Sequence, residues 1–151
     1  MELNVGDALK QPGKAFLAIL EEAVKPQCYG GRQIEFLTPV QLELTYSYDG
    51  EALTLSGRLN MMLSSRCARC DELFAEEFDI PFSERFVKGA SADDGSYVFE
   101  GEKLELITAV MDNIFLNLPI ISVCNETCKG LCPVCGCNLN LNTCTCNQGE
   151  D

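Results

Sequence analysis

Ten cysteines and no histidine stand in this chain of 151 residues, and seven of the ten crowd into residues 124–146, CNETCKGLCPVCGCNLNLNTCTC. Within that stretch, Cys132-Pro133-Val134-Cys135-Gly136 has the form of a zinc knuckle. Two thiolates at this spacing can grip one tetrahedral ion at Zn–S distances of about 2.3 Å. Pro133 stiffens the turn, and Gly136 admits a positive φ that lets backbone N–H groups approach the sulfurs. A second pair follows in Cys144-Thr145-Cys146. In extended backbone, residues i and i+2 face one side, so both sulfurs can close the site. The competing readings of the tail are a disulfide-bonded segment or packed free thiols.

The missing histidine removes the commonest general base, every Ser–His or Cys–His pair, and all mixed Cys/His zinc sites. A closed four-sulfur site leaves no position for water, so it stabilises structure and hydrolyses nothing. The first residues lack the basic start, apolar middle and cleavage site of a signal peptide, and no apolar run reaches membrane-spanning length. The expected location is the cytoplasm, where disulfides are disfavoured and clustered cysteines bind metal.

Eleven basic residues face twenty-three acidic ones, for a formal charge of −12. A four-thiolate zinc site makes the field more negative still. Such a field repels phosphate backbones and attracts basic surfaces. No tight binding to bare RNA is expected, and a basic protein is the natural partner. Nothing points to a membrane or a small-molecule substrate.

Along the chain, a short strand is expected around Leu3 and Val5, then a turn at Pro12-Gly13. Residues 14–24 read either way: Ala, Leu and Glu favour a helix, but the run is short and Pro26 stops it. Gly30-Gly31 marks a turn before a short strand over 32–38. Leu42, Leu44, Tyr46 and Tyr48 alternate with polar residues, as in a half-buried strand. Asp49-Gly50 signals a hairpin. The return strand carries Leu53, Leu55, Leu59, Met61 and Leu63, with Gly57 a bulge or a close approach. Beyond Cys67-Ala68-Arg69-Cys70, Phe74, Phe78, Ile80, Phe82 and Phe86 share one parity, which sets the two cysteines at the turn of a long second hairpin. Pro81 makes part of that strand an edge or a bulge. Residues 88–101 read as a loop ending in a short strand. Leu104, Ile107, Met111, Ile114, Phe115 and Leu118 then fall at helical spacing, predicting an amphipathic helix over 103–117 that packs on the sheet. The fold class is α+β: one domain, 1–151, whose mainly antiparallel sheet and single helix (1–119) carry a cysteine-rich zinc tail (120–151).

Cys67 and Cys70 admit three readings. Arg66 and Arg69 favour their thiolates, which suits a reactive dithiol or a metal site. A thioredoxin-like site needs a helix N-terminus in a β–α unit, whereas this motif joins two strands. The second reading is another zinc site with Cys124 and Cys128, and the third a reduced structural pair. Cys128 can also stand in for Cys144 or Cys146 in the knuckle site. Cys28 and Cys137 show no evident partner.

The segment Cys67-Ala68-Arg69-Cys70-Asp71-Glu72, the helix ending Leu116-Asn117-Leu118-Pro119, and the long run from Cys124 through Cys128-Lys129-Gly130-Leu131-Cys132-Pro133 to Asn140 resemble the YceD family across nearly the whole chain. The resemblance implies a cytoplasmic bacterial protein needed for 23S ribosomal RNA accumulation and large-subunit assembly, with no known catalytic activity. It fits a non-enzymatic ribosome biogenesis factor whose partners are basic ribosomal or rRNA-processing proteins, held by an acidic sheet face or by Asp93, Asp94, Glu100 and Glu102. Two other functions compete with it: a dithiol oxidoreductase using Cys67 and Cys70, and a zinc-stabilised interaction module unrelated to ribosomes.

Overall fold

A computed structural model describes residues 1–89 and 96–146. The chain begins with β1 (Glu2–Asn4) and α1 (Gly6–Lys10), then runs through β2 (Ala15–Glu22), β3 (Gln27–Tyr29), β4 (Arg32–Phe36), β5 (Val40–Tyr48), β6 (Ala52–Arg66) and β7 (Leu73–Lys88). Two short strands, β8 (Tyr97–Phe99) and β9 (Lys103–Glu105), precede α2 (Ile107–Asn117). The main sheet is mostly antiparallel, with β6 at its centre. β7 lines one side of β6 for its whole length, while β5 and then β4 share the other. β8 joins β7 in parallel, and β1 pairs with β9 in a small separate sheet.

The alternation in the sequence produces this layering directly. Leu42, Leu44 and Tyr46 of β5, Leu53, Leu55, Leu59, Met61 and Leu63 of β6, and Ile80, Phe82 and Phe86 of β7 all point to one face and are buried there. Burying each such side chain contributes about 1.5–3 kcal/mol. α2 covers this face through Val110 and Ile114, with Ala109 letting the helix sit close. The Asn113 amide pins it by donating to Glu84 at 2.7 Å. Pro119 forces Leu118 into extended backbone and ends the helix. Gly57 is a close approach within a regular ladder: a Cβ there would lie 1.9 Å from the Glu43 carbonyl oxygen. Pro81 lies where β7 pairs with β6 alone, which is the edge reading.

Several expectations need correction. The helical leaning of residues 14–24 loses to pairing with β5: Phe16, Ala18 and Leu20 alternate with exposed neighbours, and the Phe16 ring stacks on Tyr46 at 5.6 Å between centroids. Long-range pairing overrides a weak local propensity. The described residues hold two helices and not one, because residues 6–10 close a turn of helix over Val5 and Ala8 in the core. The second helix starts at Ile107, since residues 103–105 pair with β1 instead. No helix among the described residues is long and apolar enough to cross a membrane.

Candidate metal centre

The β6–β7 turn carries the first pair. Its tight reversal is set by the Asp71 N–H donating to the Cys67 carbonyl and the Cys67 N–H to the Glu72 carbonyl, both at 2.9 Å. Asp71 takes a positive φ of 63°, which Asp tolerates better than most residues. The Arg66 guanidinium closes the turn on the Asp71 carbonyl at 2.8 Å. The same turn recruits the C-terminal segment. Ala68 N–H donates to the Ser122 carbonyl at 2.8 Å, and Arg69 donates to the carbonyls of Glu126 and Cys128 at 3.0 and 3.3 Å. Gly130, at φ 75°, passes so near that a Cβ would meet the Arg69 carbonyl at 3.1 Å. These contacts deliver Cys124 and Cys128 to the turn, with Cys67–Cys128 and Cys70–Cys124 sulfurs each 3.8 Å apart.

The knuckle forms a small hairpin of its own. Leu131 bridges Asn138, Cys132 N–H donates to the Cys137 carbonyl, and Gly136, at φ 76°, returns its N–H to the Cys132 carbonyl. The N–H groups of Val134 and Cys135 point at the Cys132 sulfur at 3.4 and 3.5 Å. Cys144 brings its sulfur to 3.6 Å from that of Cys135 and 3.3 Å from that of Cys132. Asn140 ties the hairpin to the first group: its side-chain amide donates to the Cys128 sulfur at 3.3 Å while its oxygen accepts the Lys129 N–H at 2.8 Å.

Two foursomes result, Cys67/Cys70/Cys124/Cys128 and Cys132/Cys135/Cys144/Cys146, and in each the four sulfurs lie within 4.8 Å of one another. Four sulfurs at about 2.3 Å from one tetrahedral ion are about 3.8 Å apart. A disulfide requires about 2.05 Å. The observed spacings of 3.3–3.8 Å are far too long for a disulfide and lie near those of four thiolates around one ion, and all ten cysteines are free. The donor set therefore fits a closed, structural tetrahedral metal.

Electrostatics divides the sulfurs. Burial pushes the Cys67 thiol up, but N–H donors from Cys70, Cys124 and Arg69 outweigh it and hold its pKa at about 6. The N–H groups of Cys135 and Val134 hold Cys132 at about 6 as well. Burial and neighbouring thiols raise Cys124 to about 12, and hydrogen bonding with Cys144 and Cys135 raises Cys146 to about 12. Cys67 and Cys132 are thus the readiest thiolates of their foursomes, and a cation is needed to draw the protons from Cys124 and Cys146.

Cys128 sits with Cys67 and not in the knuckle. Cys137 belongs to neither foursome, but its carbonyl accepts the Cys132 N–H beside the second one, and hydrogen bonding with Cys135 together with burial raises its thiol to about 12. Cys28 lies exposed on β3, away from both groups. Glu100 and Glu102 are exposed, whereas Asp93 and Asp94 lie outside the described residues. Sequence reasoning missed Asn140, Ser122 and the Arg69 grip on backbone carbonyls. Asn140 carried no signal beyond its place in the motif.

Comparison with known proteins adds what geometry cannot. The profile described as "Large ribosomal RNA subunit accumulation protein YceD" matches residues 55–151, from near the start of β6 through both foursomes. Relatives include proteins named large ribosomal RNA subunit accumulation protein YCED homolog 1, chloroplastic. That of Arabidopsis thaliana is 25% identical over 75% of this chain and 45% of its own length. That of Zea mays is 29% identical over 72% of this chain and 49% of its own. An uncharacterized protein of Mycobacterium leprae is 26% identical over 70% of this chain and 52% of its own. The chain thus spans about half the length of the curated relatives it matches. No solved structure matches it. A profile that covers the long β-hairpin, α2 and every cysteine of both foursomes shows that this chain belongs to the YceD family.

Proposed function

We propose that this chain is a non-enzymatic factor in ribosome biogenesis, required for 23S ribosomal RNA to accumulate, and that it acts by holding a basic protein of the assembling large subunit. The observation that carries the reading is the family match, which includes both foursomes. Zinc is the proposed metal, because closed four-thiolate sites without histidine suit it best. Cys67 and Cys70 are 1% and 3% exposed and share their site with two more sulfurs, which supports a structural role over dithiol redox chemistry.

The charge supplies the recognition. At −12, the chain competes with phosphate for a basic protein. The outer sheet face offers Glu21, Glu43, Glu77 and Asp79 against Arg58 and Arg85, and Arg58 is already paired with Asp79 at 2.6 Å. Depletion of the protein followed by gradient profiling of ribosomal particles tests the reading, with a deficit of large subunits and of 23S RNA expected. An unchanged profile overturns it. Neutralising Asp93, Asp94, Glu100 and Glu102 to Asn or Gln is expected to weaken co-sedimentation with precursor particles while leaving the fold intact.

A further inference from the structure

β2 ends the main sheet, pairing only with β5. Half of its backbone N–H and C=O groups therefore face away from the sheet. A bare edge of this length is usually blunted by charge, proline or a bulge. Here residues 15–20, AFLAIL, have none of these. Leu17 and Ile19 are 80% and 76% exposed on the outer face, although their cross-strand neighbours Thr45 and Glu43 are polar. Phe16, Ala18 and Leu20, on the core face, are only partly buried, so the apolar layer stops half covered at this edge.

We propose that a second copy of this chain adds its own β2 here, antiparallel and centred on Ala18, to make one continuous sheet across a two-fold axis. Side chains must keep their faces, so the symmetric registers to compare centre on Leu17, Ala18 or Ile19. Centring on Leu17 sets Lys14 against Leu20. Centring on Ile19 sets Leu17 against Glu21 and Phe16 against Glu22. Centring on Ala18 alone places Leu17 of each copy opposite Ile19 of the other, joins Phe16 to Leu20, and puts Lys14 across from Glu22. Lys14 already lies over the Phe16 ring, 5.2 Å from its centroid, on the face where Glu22 also points. Glu22, which receives the Met1 amino group, gains a second cation. The uncharged middle of β2 lets the two copies meet despite their net charge. This surface is independent of the ribosomal reading.

The test is sedimentation equilibrium of the full, reduced, metal-loaded chain up to about 0.5 mM, in salt high enough to screen the like charges. The expected result is a dimer with a dissociation constant of roughly 10–100 μM, as befits an edge interface of less than standard size. Leu17→Lys or Ile19→Lys is expected to weaken it at least about tenfold. Lys14→Glu and Glu22→Lys should each weaken it, and the two together should restore it, which only the Ala18-centred register requires. Thermal unfolding confirms that each variant is folded. A chain that stays monomeric throughout overturns the proposal, as does a dimer indifferent to Leu17→Lys. So does a monomer whose β2 instead binds a peptide of alternating lysine and valine, which assigns the edge to a basic partner.

Discussion

The sheet and the cysteine hub are held together by different physics. In the sheet and its covering helix, Leu42, Leu44, Leu55, Leu59, Phe82, Leu106 and Ile114 are fully buried in one apolar cluster, and no buried residue among those described is charged. In the hub, Leu131, Val134 and Leu141 all face solvent, and the buried side chains are those of Cys67, Cys70, Cys128 and Cys132. Apolar burial stabilises the first region, whereas the second has only Phe74 and Val123 packed against its buried sulfurs, so the proposed metal would carry most of its stability. The difference teaches where each region is vulnerable: the sheet to lost shape, the hub to loss of the proposed metal.

The sheet should break hardest at Gly57. A side chain there meets backbone on both counts, 1.9 Å from the Glu43 oxygen and 2.7 Å from the Leu44 Cα, so β5 must move. Gly57→Ala is expected to cost about 3 kcal/mol or more. Leu59→Ala, in the middle of the cluster, should cost about 2–5 kcal/mol. Both should appear as a lower midpoint of global unfolding, and both should leave the metal content of the folded fraction unchanged. Loss of metal in step with the sheet would merge the two regions into one cooperative unit.

Metal removal is the converse. Under reducing conditions, a strong chelator should strip the chain and abolish hydrogen-exchange protection around residues 123–146 while the β5–β6–β7 ladder stays protected. Acidification should act in the same direction, because protons compete for the thiolates. The sign follows from the pKa directions: thiolates at Cys67 and Cys132, held at about 6 without metal, are the first to form and the last to be protonated as pH falls. Cys132→Ser should loosen the tail and spare the sheet.

What the sequence made legible follows the same division. Strand alternation placed β5, β6 and β7, because period-two burial is written residue by residue, and the long hairpin then located Cys67 and Cys70. The C-x-x-C and C-x-C spacings name the sulfurs that the fold brings into two groups, and the Arg69 and Ser122 contacts fix the chain path that puts Cys128, rather than Cys144 or Cys146, beside Cys67. β2 was obscured because Ala, Leu and Glu carry helical propensity, and only pairing with β5 decides against it. α1 is too short for a periodicity. Cys137 shows no evident partner in the sequence because its nearness to the second group is set by the Gly136 turn and not by cysteine spacing.

The two foursomes should also separate from each other. Cys67, Cys70 and Cys128 are buried, whereas Cys135 is exposed and Cys144 and Cys146 are half-buried. Stepwise titration with a chromophoric chelator is expected to remove the knuckle metal first, and an oxidant to attack the knuckle first. Release of both ions in one step would mean that the hub opens as a whole.

The smallest effect, and the one that most sharpens the contrast, belongs to Asn140. Its amide donates to the Cys128 sulfur at 3.3 Å, and that donation is the leading reason the Cys128 thiol is held below its ordinary value. Its oxygen meanwhile orients the Lys129 N–H within the segment that joins the two foursomes. Groups that orient and polarise a ligand without touching the metal typically change affinity by about 10–100-fold. Asn140→Ala should therefore weaken only the Cys67/Cys70/Cys124/Cys128 site, by about that factor, and leave global unfolding unmoved. Asn140→Asp tests the cause. It preserves size and the acceptor for Lys129, but it replaces the donor with a negative charge beside a thiolate, so it should weaken the site more than alanine does. If aspartate binds metal as well as asparagine, the side chain serves only to hold the loop, and the sulfur hydrogen bond contributes nothing to the metal.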